Sequence, residues 1–558
     1  MNILNSRKNA PAFSRRRFLS QVGCGAMGWT SVVNTLAQLR LMQGVLNAQG
    51  GGGGYKALVC VFLGGGNDSN NLLIPASGTA RTHYDGIGGN ANAPGRGMLR
   101  IPVANLQALT TNPTHIAAAS PVSGYLGTFG LHPQLGGLKD LFNAGELALV
   151  ANVGTLTQPG MTRANYSTFS RPPQLFSHSD QVSQWQSSIP DRPFAHGWGG
   201  RIADYLNPIH NPSSGNASMS ISISGVNSFQ VSASGAVVPY VMTSNGVVSL
   251  SGYSNSTGPY GNAVNDSSVL FSDPNYKNND PGMRLKAFER ILRYTNDSLL
   301  ENSYNNVMMS ARLTEGMVGD ALSVTGVDGS TSASTLDVHF NNAFSGSEAG
   351  ISVNNSFTNQ MKLVARLIAG HSALGNSRQI FFVQQTGFDT HTTQIPDTGN
   401  VFAGGHTGLM NVLNRTLKGF SDSLKDVGLW NNTVAFTASD FTRTFTANKT
   451  DASAGSDHAW GGHHCVMGGP VLGGRIYGKF PVLLTGTTTN SIDATGSSGR
   501  WIPSTSVDQY AAVLASWLGV PNDALEDIFP NLTRFSAAPF TEILQPNQGP
   551  NLGFLQPG

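Results

Sequence analysis

The chain reads as an α/β protein with a largely parallel central sheet, flanked by helices and carrying a β-rich insertion, and three observations predict this. Residues 56–63 form a continuous apolar run that stops at Gly64-Gly65-Gly66-Asn67-Asp68, the pattern of a strand buried on both faces that turns sharply at its carboxyl end. The same grammar returns at 147–153 before Gly154, at 379–385 before Gly387-Phe388-Asp389, and at 433–437 before Ser439-Asp440. Helix-period segments at 356–372 and 408–426 separate the later strands, and strands alternating with helices imply a parallel sheet covered on both faces.

The flanking regions have different grammars. Residues 14–20 read Ser-Arg-Arg-Arg-Phe-Leu-Ser, and an apolar run interrupted by Gly23, Gly25 and Gly28 follows. Paired arginines before such a run address a chain to the twin-arginine export machinery. Residues 1–48 therefore read as a signal peptide cleaved near Ala48, and 49–54 as a Gly-rich linker, leaving no stable membrane span after cleavage. The expected location is periplasmic or extracellular. The rest, 55–558, reads as one large α/β domain with two interruptions. Residues 209–278, rich in Ser, Asn, Gly and Val with short alternations, predict β-hairpins in an inserted subdomain or cap. Residues 322–355, rich in Ser, Gly and Thr, predict a long loop.

Charge narrows the range of partners. Six of the 33 Lys and Arg lie in residues 1–48, which hold no Asp or Glu, so the mature part carries 27 basic against 31 acidic residues. That balance removes the case for a nucleic-acid partner. Of three cysteines, Cys24 leaves with the signal, while Cys60 and Cys465 sit in apolar strand patterns and read as packing residues rather than a disulfide.

Catalytic and ligand groups in parallel sheets collect at the carboxyl ends of strands, which is where Asp68, Asp389 and Asp440 fall. Asp457-His458 with His463 and His464, and Asp389 with His391, add imidazoles and carboxylates suited to one or more divalent metal ions. If the two loops meet, Asp389, His391 and His458 serve a single ion. Two segments offer a hydroxyl whose pKa a metal would lower: Ser177 in Leu175-Phe-Ser-His-Ser-Asp-Gln181, the preferred nucleophile, and Thr162 beside Arg163.

These stretches, with Gly197-Trp-Gly-Gly-Arg201, Ala438-Ser-Asp-Phe-Thr-Arg443 and Gly468-Gly-Pro-Val-Leu-Gly-Gly-Arg475, resemble the bacterial family called domain of unknown function 1501. The resemblance implies membership of the alkaline phosphatase-like superfamily, hence a two-metal hydrolase ancestry. It makes Asp68 the first metal-ligand aspartate, Ser177 the metal-bound nucleophile, Asp389 with His391 one ligand loop, Asp440 the next ligand and His458 the final histidine. Where the superfamily has Asp-His, this chain has Asp440-Phe441, so one site is short of a nitrogen ligand, and Arg443 is left to bind the substrate anion bidentately. The expected function is hydrolysis of a phosphate or sulfate ester, carbohydrate-linked esters included, with Arg443 or Arg163 steadying developing charge. The alternative is a secreted binding or surface-assembly protein that keeps the fold without turnover.

Overall fold

A computed structural model of the chain describes residues 54–535 and 552–555, apart from 111–123, 194–195, 212–216, 245, 247–275, 293–297, 299–300, 303, 306–307, 309–316, 320, 323–333, 347–350, 396–399 and 487–490. The expected signal peptide, and all of the linker but Gly54, lie outside the described residues.

Among the described residues, nine strands make the main sheet: β1 (Lys56–Gly64), β2 (Leu147–Gly154), β3 (Ser220–Ser222), β4 (Tyr240–Val241), β5 (Arg378–Thr386), β6 (Thr433–Ser439), β7 (Gly462–Met467), β8 (Arg475–Gly478) and β9 (Thr505–Ser506). Their order is β8-β2-β7-β6-β1-β5-β3-β4, with β9 also on β2. Every described pairing in this sheet is parallel except those of β7, which runs against both β2 and β6. The expected α/β class with a mostly parallel sheet is what the chain adopts.

Strand β1 shows why the sheet forms. Ala57, Val59, Val61 and Leu63 point into one apolar core and Leu58, Cys60 and Phe62 into another, all almost wholly buried. Each such Leu or Phe contributes roughly 1.5–3 kcal/mol by leaving water. Helices cover both faces: α1 (His178–Ser187), α2 (Trp198–His210), α3 (Ser356–Ala369), α4 (Gly405–Asp426) and α5 (Val507–Leu518). Helices α3 and α4 bury their apolar stripes against the first core, and α2 and α5 theirs against the second. The Asn355 side chain, accepting from Thr358 N at 2.9 Å, starts α3, and a reciprocal Ser506–Gln509 pair starts α5.

Two local expectations differ from the structure. In the 209–278 segment the described strands β3 and β4 do not form a hairpin. They pair in parallel with each other and β3 pairs in parallel with β5, so they extend the main sheet; residues 247–275 lie outside the described residues. Within the expected loop at 322–355, residues Ser334–Phe344 are helical. Leu336, Phe340 and Phe344 recur every four residues and are buried, a stripe hidden by the polar composition around it.

Asp508, in the first turn of α5, is buried, accepts a hydrogen bond from Ser188 Oγ at 2.7 Å and leaves its second oxygen without a partner. Burial pushes its carboxyl up to about 7, against the opposing pull of Ser188, Arg201 and Arg534. Its folded-state pKa is therefore raised. Between pH 4 and 7 the unfolded chain has released this proton while the fold still holds it, so stability falls as pH rises through that window. Asp508→Asn should remove the fall. At pH 8 the variant should be the more stable by on the order of 1–4 kcal/mol in urea denaturation, with the advantage gone by pH 4. A constant offset at both pH values would contradict this.

Candidate functional site

The register of the three central strands aligns their carboxyl ends, pairing Gly64 with Thr386 and Leu63 with Ser439. The loops leaving β1, β5 and β6 are thereby brought together. Gly65, at φ +110°, is what allows the approach: a Cβ there would lie 2.6 Å from the Asp389 backbone nitrogen. Strand β7 runs the other way, so the segment entering it reaches the same end of the sheet. Thr442 and Thr444 receive that segment through backbone bonds to Trp460 and Asp457, which set His458 beside Arg443. His178 arrives from the first position of α1.

At the centre lies Asp389 Oδ1. His391 Nε2 is 3.2 Å from it, and His178 Nε2 and His458 Nε2 are each 3.5 Å away. The opposite nitrogen of each ring is held from outside. His178 Nδ1 donates to Asp440 Oδ2 at 2.7 Å, His458 Nδ1 donates to the Phe176 carbonyl at 2.7 Å, and His391 Nδ1 donates to Asp457 Oδ1 at 3.0 Å. Donation from Nδ1 leaves the Nε2 lone pairs of neutral His178 and His458 directed at Asp389, the orientation that metal-binding imidazoles receive from outer carboxylates and carbonyls, while that of His391 also accepts from Arg443 Nη1 at 3.4 Å. His391 Nε2 and His458 Nε2 stand 2.9 Å apart, and two lone pairs at that separation repel unless a cation or proton lies between them. His178 Nε2 is buried without any hydrogen-bond partner. His178, Asp389 and His458 offer ligand atoms that all lie within 4.8 Å of one another. The residues present thus fit a divalent cation.

Electrostatics act in opposite directions on two of the rings, favouring the neutral form of His458 and the protonated form of His178. The Asp440 hydrogen bond raises the His178 pKa against the opposing cost of burial, while burial lowers that of His458. Partial burial opposes ionisation of Asp389, but Arg443, His391 and His178 outweigh it and hold its carboxyl below the usual range. Phe441 packs against the rings of His178 and His458 at 4.7 and 4.8 Å between centroids. In place of the nitrogen ligand expected there, it is a wedge that keeps both imidazoles in position.

The expected site residues divide. Asp389, His391 and His458 meet, and Asp440 and Asp457 stand behind two of the imidazoles rather than in front. Asp68 is closed off, ion-paired to Arg96 with both side chains fully buried. His463 is packed away, stacked on Phe480 and accepting from Asn152 N at 3.1 Å, and burial pushes its pKa down to about 3. Arg443 has its guanidinium committed inside the protein. It is wholly buried and donates to Asp389 and to the carbonyls of Gly65, Gly66 and Ser456. Ser177 Oγ donates to Asp180 Oδ2 at 2.6 Å, which turns the expected nucleophile toward its own helix. Thr162 lines a separate cavity of about 340 Å³ with Phe480 and Pro503, and Arg163 donates to Ser491 Oγ at 2.8 Å. The histidine of the cluster that the sequence did not mark as a ligand is His178. Its signal was present in the nitrogen deficit at Asp440-Phe441, which some other histidine had to fill.

An open cavity of about 610 Å³ adjoins the cluster. His178, Asp389, Asp440 and Gly65 line it together with Asn227 and Gln384, and no Lys or Arg is among its described lining residues.

A family described as "Protein of unknown function (DUF1501)" matches residues 55–494. No curated protein matches the chain.

Proposed function

The chain belongs to the DUF1501 family, and we propose that this member is an exported, divalent-cation-dependent hydrolase of phosphate or sulfate esters. One observation carries the reading: three imidazole Nε2 atoms converge on Asp389 Oδ1, with that of His178 buried and unpartnered. His178, Asp389, His391 and His458 would hold the cation, which supplies Lewis acidity toward an ester oxygen and positive charge for an anionic group. The cavity needs that charge. Its described lining residues include no Lys or Arg, and Arg443 is spent on Asp389, His391 and backbone carbonyls. Asp440, the Phe176 carbonyl and Asp457 keep the imidazole lone pairs turned inward, and Asn227 and Gln384 border the space for the alcohol part of the ester, a carbohydrate included. Water rather than Ser177 is the attacking group in this reading, because the Ser177 hydroxyl is committed to Asp180.

Aryl phosphate and aryl sulfate panels test it, with zinc or manganese supplied. Turnover of at least one ester is expected, and Ser177→Ala should stay within about threefold of the wild type, under 1 kcal/mol in barrier. Loss of all turnover in Ser177→Ala, with its metal content intact, would return the nucleophile to that serine.

A second reading, a secreted binding or surface-assembly protein, is favoured by one feature. The fully buried Arg443 neutralises the central carboxylate and weakens it as a donor. A protein that retains metal yet turns over no ester in the panels would support it.

Export rests on Arg15-Arg16. Replacing both with lysine should leave the precursor in the cytoplasm, measured by fractionation and immunoblotting, and an unchanged exported yield would contradict the twin-arginine route.

A further inference from the structure

We propose that the centre takes one transition-metal ion per chain, and that the Arg96 guanidinium, closed on Asp68, supplies the positive charge a second cation would bring. The inference rests on the reading of the imidazole cluster as a cation site and extends it to the number and class of ions.

Asp68 occupies the carboxyl end of the central strand, where a metal-binding carboxylate is best placed, yet every side chain bonded to it is a donor. Arg96 Nη2 and Gln394 Nε2 donate to Oδ2, and Asn70 Nδ2 donates to Oδ1 at 3.1 Å. Neither amide is free to present its oxygen instead. Asn70 Oδ1 accepts from Trp501 Nε1 at 2.7 Å, and Gln394 Oε1 accepts from Ser456 Oγ at 2.6 Å and Thr390 Oγ1 at 3.1 Å. Arg96 is anchored in turn by donation to the Thr444 carbonyl at 2.9 Å. A cation needs converging lone pairs, and Asp68 is surrounded by N–H groups instead.

The other carboxylates around the cluster are equally committed. Asp440 accepts from Gly65 N at 3.1 Å and from His178, and Asp457 accepts from His391 and from Asn448 Nδ2 at 3.2 Å. Asp389 too is paired to Arg443, but among the described residues only it, with His178 and His458, brings imidazole and carboxylate ligand atoms within 4.8 Å of one another, which is one ligand set and therefore one ion. Two imidazole nitrogens with one carboxylate, and His391 beside them, suit zinc, iron or manganese, whereas magnesium and calcium take oxygen shells.

The test is elemental analysis of the mature protein after equilibrium dialysis, separately against zinc, magnesium and calcium. One equivalent of zinc and no retained magnesium or calcium is expected, with the same single equivalent in Asp68→Asn and none in His178→Ala. Because Asp68→Asn leaves a buried guanidinium unpaired and risks misfolding, an anomalous difference map of zinc-soaked wild-type crystals provides the second measurement. It should show one peak beside Asp389 and none within bonding reach of Asp68. Two zinc equivalents, a peak at Asp68, or loss of zinc from a folded Asp68→Asn would each overturn the inference. One ion with no ester turned over would leave it standing and remove the hydrolase reading, two ions with turnover would do the reverse, and no bound ion at all would overturn both.

Discussion

His178→Ala is expected to lower kcat/KM for any ester substrate by roughly a thousandfold or more, about 4 kcal/mol in the barrier, and to release the bound ion. The size follows from position. His178 Nε2 is buried, has no other partner and points at Asp389, so its removal deletes an inward-facing nitrogen that no neighbouring side chain replaces. Asp440→Asn provides the graded comparison. It leaves the ring in place and weakens only the group that orients it, so metal affinity should fall by about 10–100-fold. Dialysis against zinc and steady-state kinetics read both variants. Equal losses in the two would mean that His178 acts through Asp440 rather than as a ligand.

The largest effect on stability is expected at Arg96. The Asp68–Arg96 pair is fully buried, and Arg96→Met strands a carboxylate inside the protein with only amide donors left, at a cost of about 3–5 kcal/mol. Urea denaturation of the folded fraction, read as a shift in midpoint, measures it. The double variant Arg96→Met with Asp68→Leu should be the more stable of the two, because replacing a whole buried pair by apolar groups costs far less than orphaning one partner. A double variant less stable than Arg96→Met alone would show that Asp68 contributes through its amide contacts and not as the partner of a charge.

The fold was legible where local pattern and burial agree. Strands β1, β2, β5 and β6 are apolar on both faces because helices cover both sides of the sheet, so their runs stand out without any alignment. The helix at Ser334–Phe344 was not legible, since Leu336, Phe340 and Phe344 are scattered among Ser and Asn and only tertiary packing singles them out. At the site, Asp389, His391 and His458 could be read because each follows or precedes a recognisable strand. Asp68 was misread for the same reason. Its position at a strand end is that of a ligand, but the arginine that closes it lies 28 residues further on, in a stretch without strand or helix signals. His178 reads from the sequence as standing behind the more conspicuous Ser177 or turned into the protein, not as a ligand. Which of two neighbours faces the centre depends on the phase at which α1 starts, and that phase is fixed by contacts with Asp440 and Phe441 far along the chain. Arg443 illustrates the converse: a guanidinium in a polar loop suggests an anion clamp, while the fold spends its donors on Asp389, His391 and three carbonyls.

X-ray absorption at the zinc K edge of the purified, zinc-loaded mature protein tests the central claim most directly, because it reads the ligand atoms themselves. A nitrogen and oxygen shell at about 2.0–2.1 Å is expected, with outer-shell scattering from imidazole that weakens in His458→Ala. An oxygen-only shell without imidazole scattering would contradict it.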